Sequence, residues 1–175
     1  MALKLDGSLW SWGDNNNGLL RDGTFVSKFV PGRIAANATW KAVSAGGSHA
    51  LGLREDGTLW SWGRNNEGQM GIGSIPTNPP YAFNTPQPVA TNANWQSVAA
   101  GSEHTAALQT DGSLWTWGAG WRGQLGNGVF MTNAPYGIAS PFAVEPAATW
   151  SAVAAGIDRS YGRLALGWKS LDLRR

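Results

Sequence analysis

Apolar residues along this chain recur with a period of two. In Leu9-Trp10-Ser11-Trp12 both indoles fall on one face of an extended segment and Leu9 and Ser11 on the other, an alternation repeated in Leu59-Trp60-Ser61-Trp62 and Leu114-Trp115-Thr116-Trp117. Asp-Gly precedes each of them, at Asp6-Gly7, Asp56-Gly57 and Asp111-Gly112. Asp-Gly between such segments, as after Ala106-Ala107-Leu108-Gln109-Thr110, predicts a two-residue hairpin turn with positive φ at its centre. No stretch shows helical spacing.

The alternation belongs to a longer unit. Asp6 to Gly13 recurs at Asp56 to Gly63 and Asp111 to Gly118, offset by 50 and then 55 residues. A second block, Trp40 to Gly46, recurs at Trp95 to Gly101 and Trp150 to Gly156, and a proline (Pro31, Pro86, Pro141) stands nine residues before each of these tryptophans. The first unit lacks a stretch matching Thr77-Asn78-Pro79-Pro80-Tyr81 and Thr132-Asn133-Ala134-Pro135-Tyr136. A packed strand cannot absorb five residues, so this segment is expected to be a surface loop. Each unit then holds about four short strands: two around Asp-Gly, one near the proline and one at Trp-x-x-Val-x-Ala-Gly. That is the strand count of a propeller blade. The expected fold is all-β, a partial β-propeller of about three four-stranded blades. Residues 1–166 form one repeat domain with units of about 1–53, 54–108 and 109–166, and 167–175 form a divergent basic tail.

These residues are recognisable. Asp-Gly-Ser-Leu-Trp-Ser-Trp-Gly is followed by Gly-Gln-Met-Gly-x-Gly (Gly68 to Gly73) or Gly-Gln-Leu-Gly-x-Gly (Gly123 to Gly128), then proline, then Val98-Ala99-Ala100-Gly101-x-x-His104-Thr105-Ala106-Ala107-Leu108. The pattern resembles the regulator of chromosome condensation repeat family, and most of all its Trp-rich bacterial members, over residues 1–156. The resemblance implies a β-propeller of four-stranded blades, usually seven, acting as a rigid binding platform. Two departures stand out: Gly18-Leu19-Leu20-Arg21 replaces Gly-Gln-(Met/Leu)-Gly, and Asp158-Arg159-Ser160-Tyr161-Gly162-Arg163 replaces His-Thr-x-x-Leu. Three units are too few for a ring of the family's size, which leaves part of a larger propeller, a self-associating partial one and a degraded terminus all open.

Composition narrows the chemistry. In 175 residues there are 24 Gly and 11 Trp but no cysteine, which excludes disulfides, thiol nucleophiles and Cys-based metal sites. The net charge of +2 suggests a basic protein, yet residues 1–158 carry eight Lys and Arg against ten Asp and Glu. The basicity is a property of the tail, and a body without a basic stripe argues against nucleic acid as a partner. No apolar run has the length of a membrane helix and the N-terminus lacks a signal peptide, so the chain is read as soluble with no compartment assigned.

Gly118-Ala119-Gly120-Trp121-Arg122-Gly123 spells a dinucleotide-binding turn, but its counterparts Gly13 to Gly18 and Gly63 to Gly68 do not, and none opens a helix onto a pyrophosphate. Asn15 and Asn65 exchange with Gly120, which is read as a sign of positive φ. His49 and His104 match in the repeat and lack metal-ligand company, so each is expected to make a structural hydrogen bond inside its blade. Carboxylate pairs and nucleophile–base pairs are not apparent. Asn37-Ala38-Thr39 is a chance-level glycosylation triplet. Nine tryptophans sit at repeat positions, where burying each removes roughly 150–250 Å² from water, about 4–6 kcal/mol, so most are expected in the core. Trp121, which replaces Asn16 and Asn66 in a turn, is the exception and is expected to face solvent.

The sequence therefore predicts no catalytic residue, cofactor or metal. It points to a non-catalytic protein–protein interaction module whose contacts lie on Tyr81, Phe83, Trp121, Arg122, Phe130, Met131 and Tyr136, since aromatic and Arg side chains in loops are the usual hot spots. Self-association remains open as well. The alternatives are a carbohydrate-binding, lectin-like propeller with indoles stacked on sugar rings and, by family analogy, a regulator of a small GTPase.

Overall fold

The computed structural model describes residues 1–34, 38–91, 94–164 and 167–170. All the regular structure is β, and no helix occurs among the described residues. Four antiparallel sheets follow one another along the chain. The first holds β1 (Ala2–Leu3), β2 (Leu9–Gly13) and β3 (Lys28–Ile34). The second holds β4 (Trp40–Ala45), β5 (His49–Arg54), β6 (Leu59–Arg64) and β7 (Ala82–Val89). The third repeats it with β8 (Trp95–Ala100), β9 (His104–Gln109), β10 (Leu114–Ala119) and β11 (Gly137–Val144). The fourth has β12 (Trp150–Ala155), β13 (Ser160–Leu164) and β14 (Gly167–Ser170). In the two four-stranded sheets the strands lie side by side in chain order, each pair joined as a hairpin.

Each residue of Asp-Gly-(Ser/Thr)-Leu-Trp-(Ser/Thr)-Trp has a separate task. The Asp carboxylate accepts from the backbone N–H two residues on (Asp56 Oδ1 from Thr58 N, 2.9 Å), while the Gly takes φ of +76°, +80° and +82° in the three copies. The turn is a three-residue loop, correcting the two-residue expectation. Arg54 N bonds Thr58 O and Gly57 N bonds Arg54 O, enclosing Glu55, Asp56 and Gly57. A two-residue turn of the expected kind needs positive φ at both central residues, whereas here only the Gly has it and the Asp side chain is left free to cap the loop.

The alternation then divides the contacts. Leu9, Leu59 and Leu114 are fully buried. On the same face, the hydroxyls of Ser11, Ser61 and Thr116 donate to Leu20 O, Met70 O and Leu125 O at 2.9, 2.8 and 2.6 Å, each pinning its own sheet's next turn. The first indole of each pair donates to the turn hydroxyl, as in Trp60 Nε1 to Thr58 Oγ1 at 3.1 Å. The second reaches across to the preceding sheet: Trp62 Nε1 donates to Leu19 O at 2.9 Å and Trp117 Nε1 to Gln69 O at 3.0 Å.

Sheet-to-sheet spacing is set by backbone as well. Trp40 N, Trp95 N and Trp150 N, which start the inner strands, donate to Gly7 O, Gly57 O and Gly112 O in the preceding hairpin. Gly68 holds φ of +78°, and a side chain there would meet Ala139 Cα at 2.7 Å, so the turn of one sheet rests directly on the outer strand of the next. The segments around Thr77–Tyr81 and Thr132–Tyr136 lie outside the strands and are largely exposed.

Candidate protein-binding face

In the first two sheets the turn after the Leu-Trp-Ser-Trp strand is built around one buried side chain. Asn15 Oδ1 accepts from Leu20 N at 2.8 Å while its Nδ2 donates to Thr24 O and Val26 O; Asn65 Oδ1 accepts from Met70 N at 3.0 Å while its Nδ2 donates to Ser74 O. This corrects the reading from positive φ, since neither Asn15, Asn65 nor Gly120 lies in that region. What the two asparagines supply is an amide that spans a loop. In the third sheet Gly120 has no side chain; its N donates to Tyr136 O at 2.7 Å, as Asn65 N does to Tyr81 O at 2.8 Å, and Met131 N donates to Gly120 O at 3.3 Å.

That substitution arranges the aromatic loop. Met131 lies over Gly120 and Phe130 over Gly123, where a side chain would meet the Phe130 ring at 3.3 Å. Trp121 is half-buried rather than free in solvent, and its ring meets Tyr136 edge-on with centroids 6.2 Å apart at 80°. Phe130 is 54% and Tyr136 40% exposed. Arg122 is exposed, with a loose contact to Asp158 at 3.4 Å. The structure thus gathers Trp121, Arg122, Phe130, Met131 and Tyr136 into one loop cluster. Tyr81 and Phe83 belong to the preceding sheet: Tyr81 O accepts from Asn65 N, and Phe83 sits half-buried on β7 opposite Gly63.

Glu67, which the sequence did not single out, anchors the cluster from the sheet before it. Its Oε2 accepts from Tyr136 N at 3.0 Å and its Oε1 from Asn66 Nδ2 at 2.9 Å. Burial raises the carboxyl's pKa, and the Tyr136 N–H opposes that shift. The only sequence signal was the extra segment ending in Tyr136, which needs an anchor.

A second surface also went unread. Phe29 is 95%, Val30 70% and Val26 67% exposed on or beside β3. The matching residues of later sheets are Asn84-Thr85 and Ala139-Ser140, and Asn84 and Ala139 lie against Gly18 and Gly68 of the sheet before. The exchange of small or polar residues for Phe and Val was the signal that could have found it.

Both histidines are buried, and His49 acts between blades. His49 Nε2 and Thr105 Oγ1 are 2.7 Å apart, Thr105 being on the following sheet, which corrects the expectation of a bond inside each blade. Thr105 Oγ1 donates in turn to Gln69 O at 2.9 Å, the same carbonyl that takes Trp117 Nε1. Burial lowers the His49 pKa to about 3 and the His104 pKa to about 4. No group of three or more potential metal ligands occurs among the described residues. Asn37 of the glycosylation triplet, residues 171–175 of the tail and the Trp168 side chain lie outside the described residues.

The repeat architecture decides the family. Residues 6–53, 56–108 and 111–164 match the regulator of chromosome condensation (RCC1) repeat. The chain belongs to the RCC1 repeat family. It is 37% identical over 128 residues to the mouse regulator of chromosome condensation, a match covering 72% of this chain and 30% of that protein. It is 33% identical over 132 residues to the ultraviolet-B receptor UVR8 of Arabidopsis thaliana, covering 73% of this chain and 29% of the receptor. Among solved structures, yeast RCC1 (Prp20) bound to Kap60 superposes with a TM-score of 0.77 at 22% identity, over 93% of this chain and 38% of that one. Saccharomyces cerevisiae Prp20p, described with its binding to Gsp1p and histones, gives a TM-score of 0.74 at 27% identity over 97% of this chain and 41% of that one. The chain thus spans roughly a third of the length of these relatives, and its fold is the β-propeller repeat. No helix among the described residues is long and apolar enough to cross a membrane.

Proposed function

We propose that this RCC1-repeat chain is a non-catalytic protein-binding module whose contact face is the loop cluster of Trp121, Arg122, Phe130, Met131 and Tyr136, flanked by Tyr81 and Phe83. The observation that carries the reading is the Trp121–Tyr136 pair: two aromatic rings set edge to face at a loop and tied to the neighbouring sheet through Glu67, with half-buried Trp121 and exposed Phe130 beside an exposed Arg122. Rigid aromatic anchors with an adjacent guanidinium are what interfaces concentrate their energy on, and a loop fixed before binding loses little entropy when it binds. Support also comes from Prp20p, whose structure is described together with its binding to Gsp1p and histones.

The test is to compare the wild-type chain with Trp121→Ala and Tyr136→Ala in quantitative capture against a panel that includes a small GTPase and core histones. The reading expects at least one panel protein to bind and each substitution to weaken that binding tenfold or more, with thermal midpoints kept near wild type. Binding that both variants leave intact would overturn the assignment of the face. A glycan array bound in a Trp121-dependent manner would replace it with the sugar-binding reading.

A further inference from the structure

Two arginines converge on the junction between the first and second sheets, at positions where the two later junctions carry no arginine. Arg21 stands where the later repeats have Gly71 and Gly126, and Arg54 where the third sheet has Gln109. The Arg21 guanidinium lies 4.5 Å from the Trp40 ring centroid and 5.3 Å from that of Trp62; Arg54 lies 4.1 Å from Trp60 and 5.3 Å from the same Trp40. Arg21 holds φ of 57° to reach this place, a conformation that its glycine counterparts adopt freely and a side chain does not.

Neither cation has a carboxylate partner among the described residues. The ion pairs among the described residues are Lys28–Asp22 and Arg122–Asp158. Asp56 feels the charge of Arg54, but its carboxylate is taken up by the amide and hydroxyl of Thr58. Arg21 Nε and Nη1 and Arg54 Nε are buried with no hydrogen-bond partner among the described residues. The Trp40 indole N–H is also unbonded, but so are those of Trp95 and Trp150, so that vacancy belongs to the repeat and the arginine donors belong to this junction. Stacking on an indole uses the flat face of a guanidinium and leaves its in-plane N–H groups directed sideways, the geometry that grips an oxyanion. Two like charges in a half-buried junction repel, and desolvation together with Arg54 lowers the Arg21 pKa to about 10.

We propose that Arg21 and Arg54 form a site for a small oxyanion, inorganic phosphate or a carboxylate, at the first sheet junction. The site stands apart from the loop cluster and independently of its assignment. The anion supplies the acceptors that the buried N–H groups lack and offsets the repulsion between the cations, so its binding stabilises the junction.

The full chain is titrated with inorganic phosphate, and separately with a hexaglutamate peptide, at fixed pH and ionic strength, reading the thermal midpoint and tryptophan fluorescence. Arg21→Gly and Arg54→Gln are run alongside, because each installs the residue that another repeat of this chain carries and so preserves the fold. The expected result is a saturable upward shift of several degrees with a fluorescence change in wild type, both lost in each variant. A phosphate-only response assigns the free anion, and a peptide-only response assigns a protein carboxylate. Equal shifts in wild type and both variants would reveal general salting-out and overturn the site, as would no response to either probe.

Discussion

His49 and Thr105 meet across a sheet boundary, Nε2 to Oγ1 at 2.7 Å, in a chain that continues from Thr105 to the carbonyl of Gln69 at 2.9 Å. Because the Thr105 proton goes to Gln69 O, His49 must donate from Nε2, so the neutral imidazole carries that proton. The bond thus joins β5 of one blade to β9 of the next and returns to the turn of the first. Removing the hydroxyl leaves His49 Nε2 without its partner, while Gln69 O keeps the Trp117 indole N–H. Thr105→Ala should cost about 1–3 kcal/mol in urea unfolding, and Thr105→Ser should recover most of it. A loss no larger than that of an exposed Thr→Ala control would mean that the relay adds nothing to blade adhesion.

The next boundary carries the same pair in an unfinished form. His104 matches His49 and Ser160 matches Thr105, yet His104 Nε2 and Ser160 Oγ are both buried without a partner. Restoring threonine as Ser160→Thr supplies the β-branched side chain that fixes the hydroxyl direction in the other copy. It should stabilise the chain by about 1 kcal/mol, seen as a raised thermal midpoint. An unchanged or lowered midpoint would show that the two boundaries differ in more than this side chain.

Both histidines make stability depend on pH, with a definite sign. Their folded-state pKa values, about 3 and about 4, lie below the ordinary value of 6.5 because burial penalises the imidazolium. The unfolded chain therefore binds more protons than the folded one between pH 6.5 and 4, and stability falls as pH drops through that window. The slope reaches about 1.4 kcal/mol per pH unit for each histidine. Urea midpoints taken from pH 7.5 down to 4.5 should decline steadily, and His104→Gln should reduce the slope. A flat profile across this range is incompatible with two neutral buried imidazoles.

The blades were legible because each strand motif encodes its own packing. Leu59 and Ser61 turn inward while Trp60 and Trp62 share the other face, and period two alone reveals this. What could not be read was any property set by the neighbouring sheet. Asn65 and Gly120 look like turn residues of one kind, whereas one bridges a loop with its amide and the other leaves room for Met131, whose N–H donates to Gly120 O. His49 shows no sign in sequence of reaching Thr105, because its partner lies 56 positions away. Of the exposed aromatic and apolar residues, the loop cluster around Trp121 is adjacent to the extra segment before Tyr136, which the sequence does show, but exposed Phe29 and Val30 could not be weighed without knowing that Asn84 and Ala139 contact a preceding turn.

Two glycines separate backbone strain from close approach. Gly23 and Gly68 share φ of +78°, but a side chain at Gly23 would meet nothing within 4 Å, whereas at Gly68 it would strike Ala139 Cα at 2.7 Å and Ile138 O at 2.8 Å. Gly23→Ala should cost only the left-handed penalty of about 1–2 kcal/mol. Gly68→Ala adds displacement of β11 from the turn and should cost more than about 3 kcal/mol. Equal losses in calorimetry would mean that the sheets separate without resistance.

Identical motifs should respond differently to the same substitution. Trp12 and Trp117 close the same Leu-Trp-(Ser/Thr)-Trp pattern, but Trp12 is 42% exposed and Trp117 fully buried with its indole N–H on Gln69 O. The difference lies in what stands before each strand: a turn carbonyl of the preceding sheet covers Trp117, and no described sheet precedes Trp12. Trp117→Ala leaves a large cavity and takes one of two donors from Gln69 O, a loss of about 3–5 kcal/mol. Trp12→Ala removes contacts on one side only and should cost about 1 kcal/mol or less. Paired urea titrations decide the matter. If Trp12→Ala were as damaging as Trp117→Ala, Trp12 would have to be covered in solution, and burial of Phe29 in the same sample would then be expected.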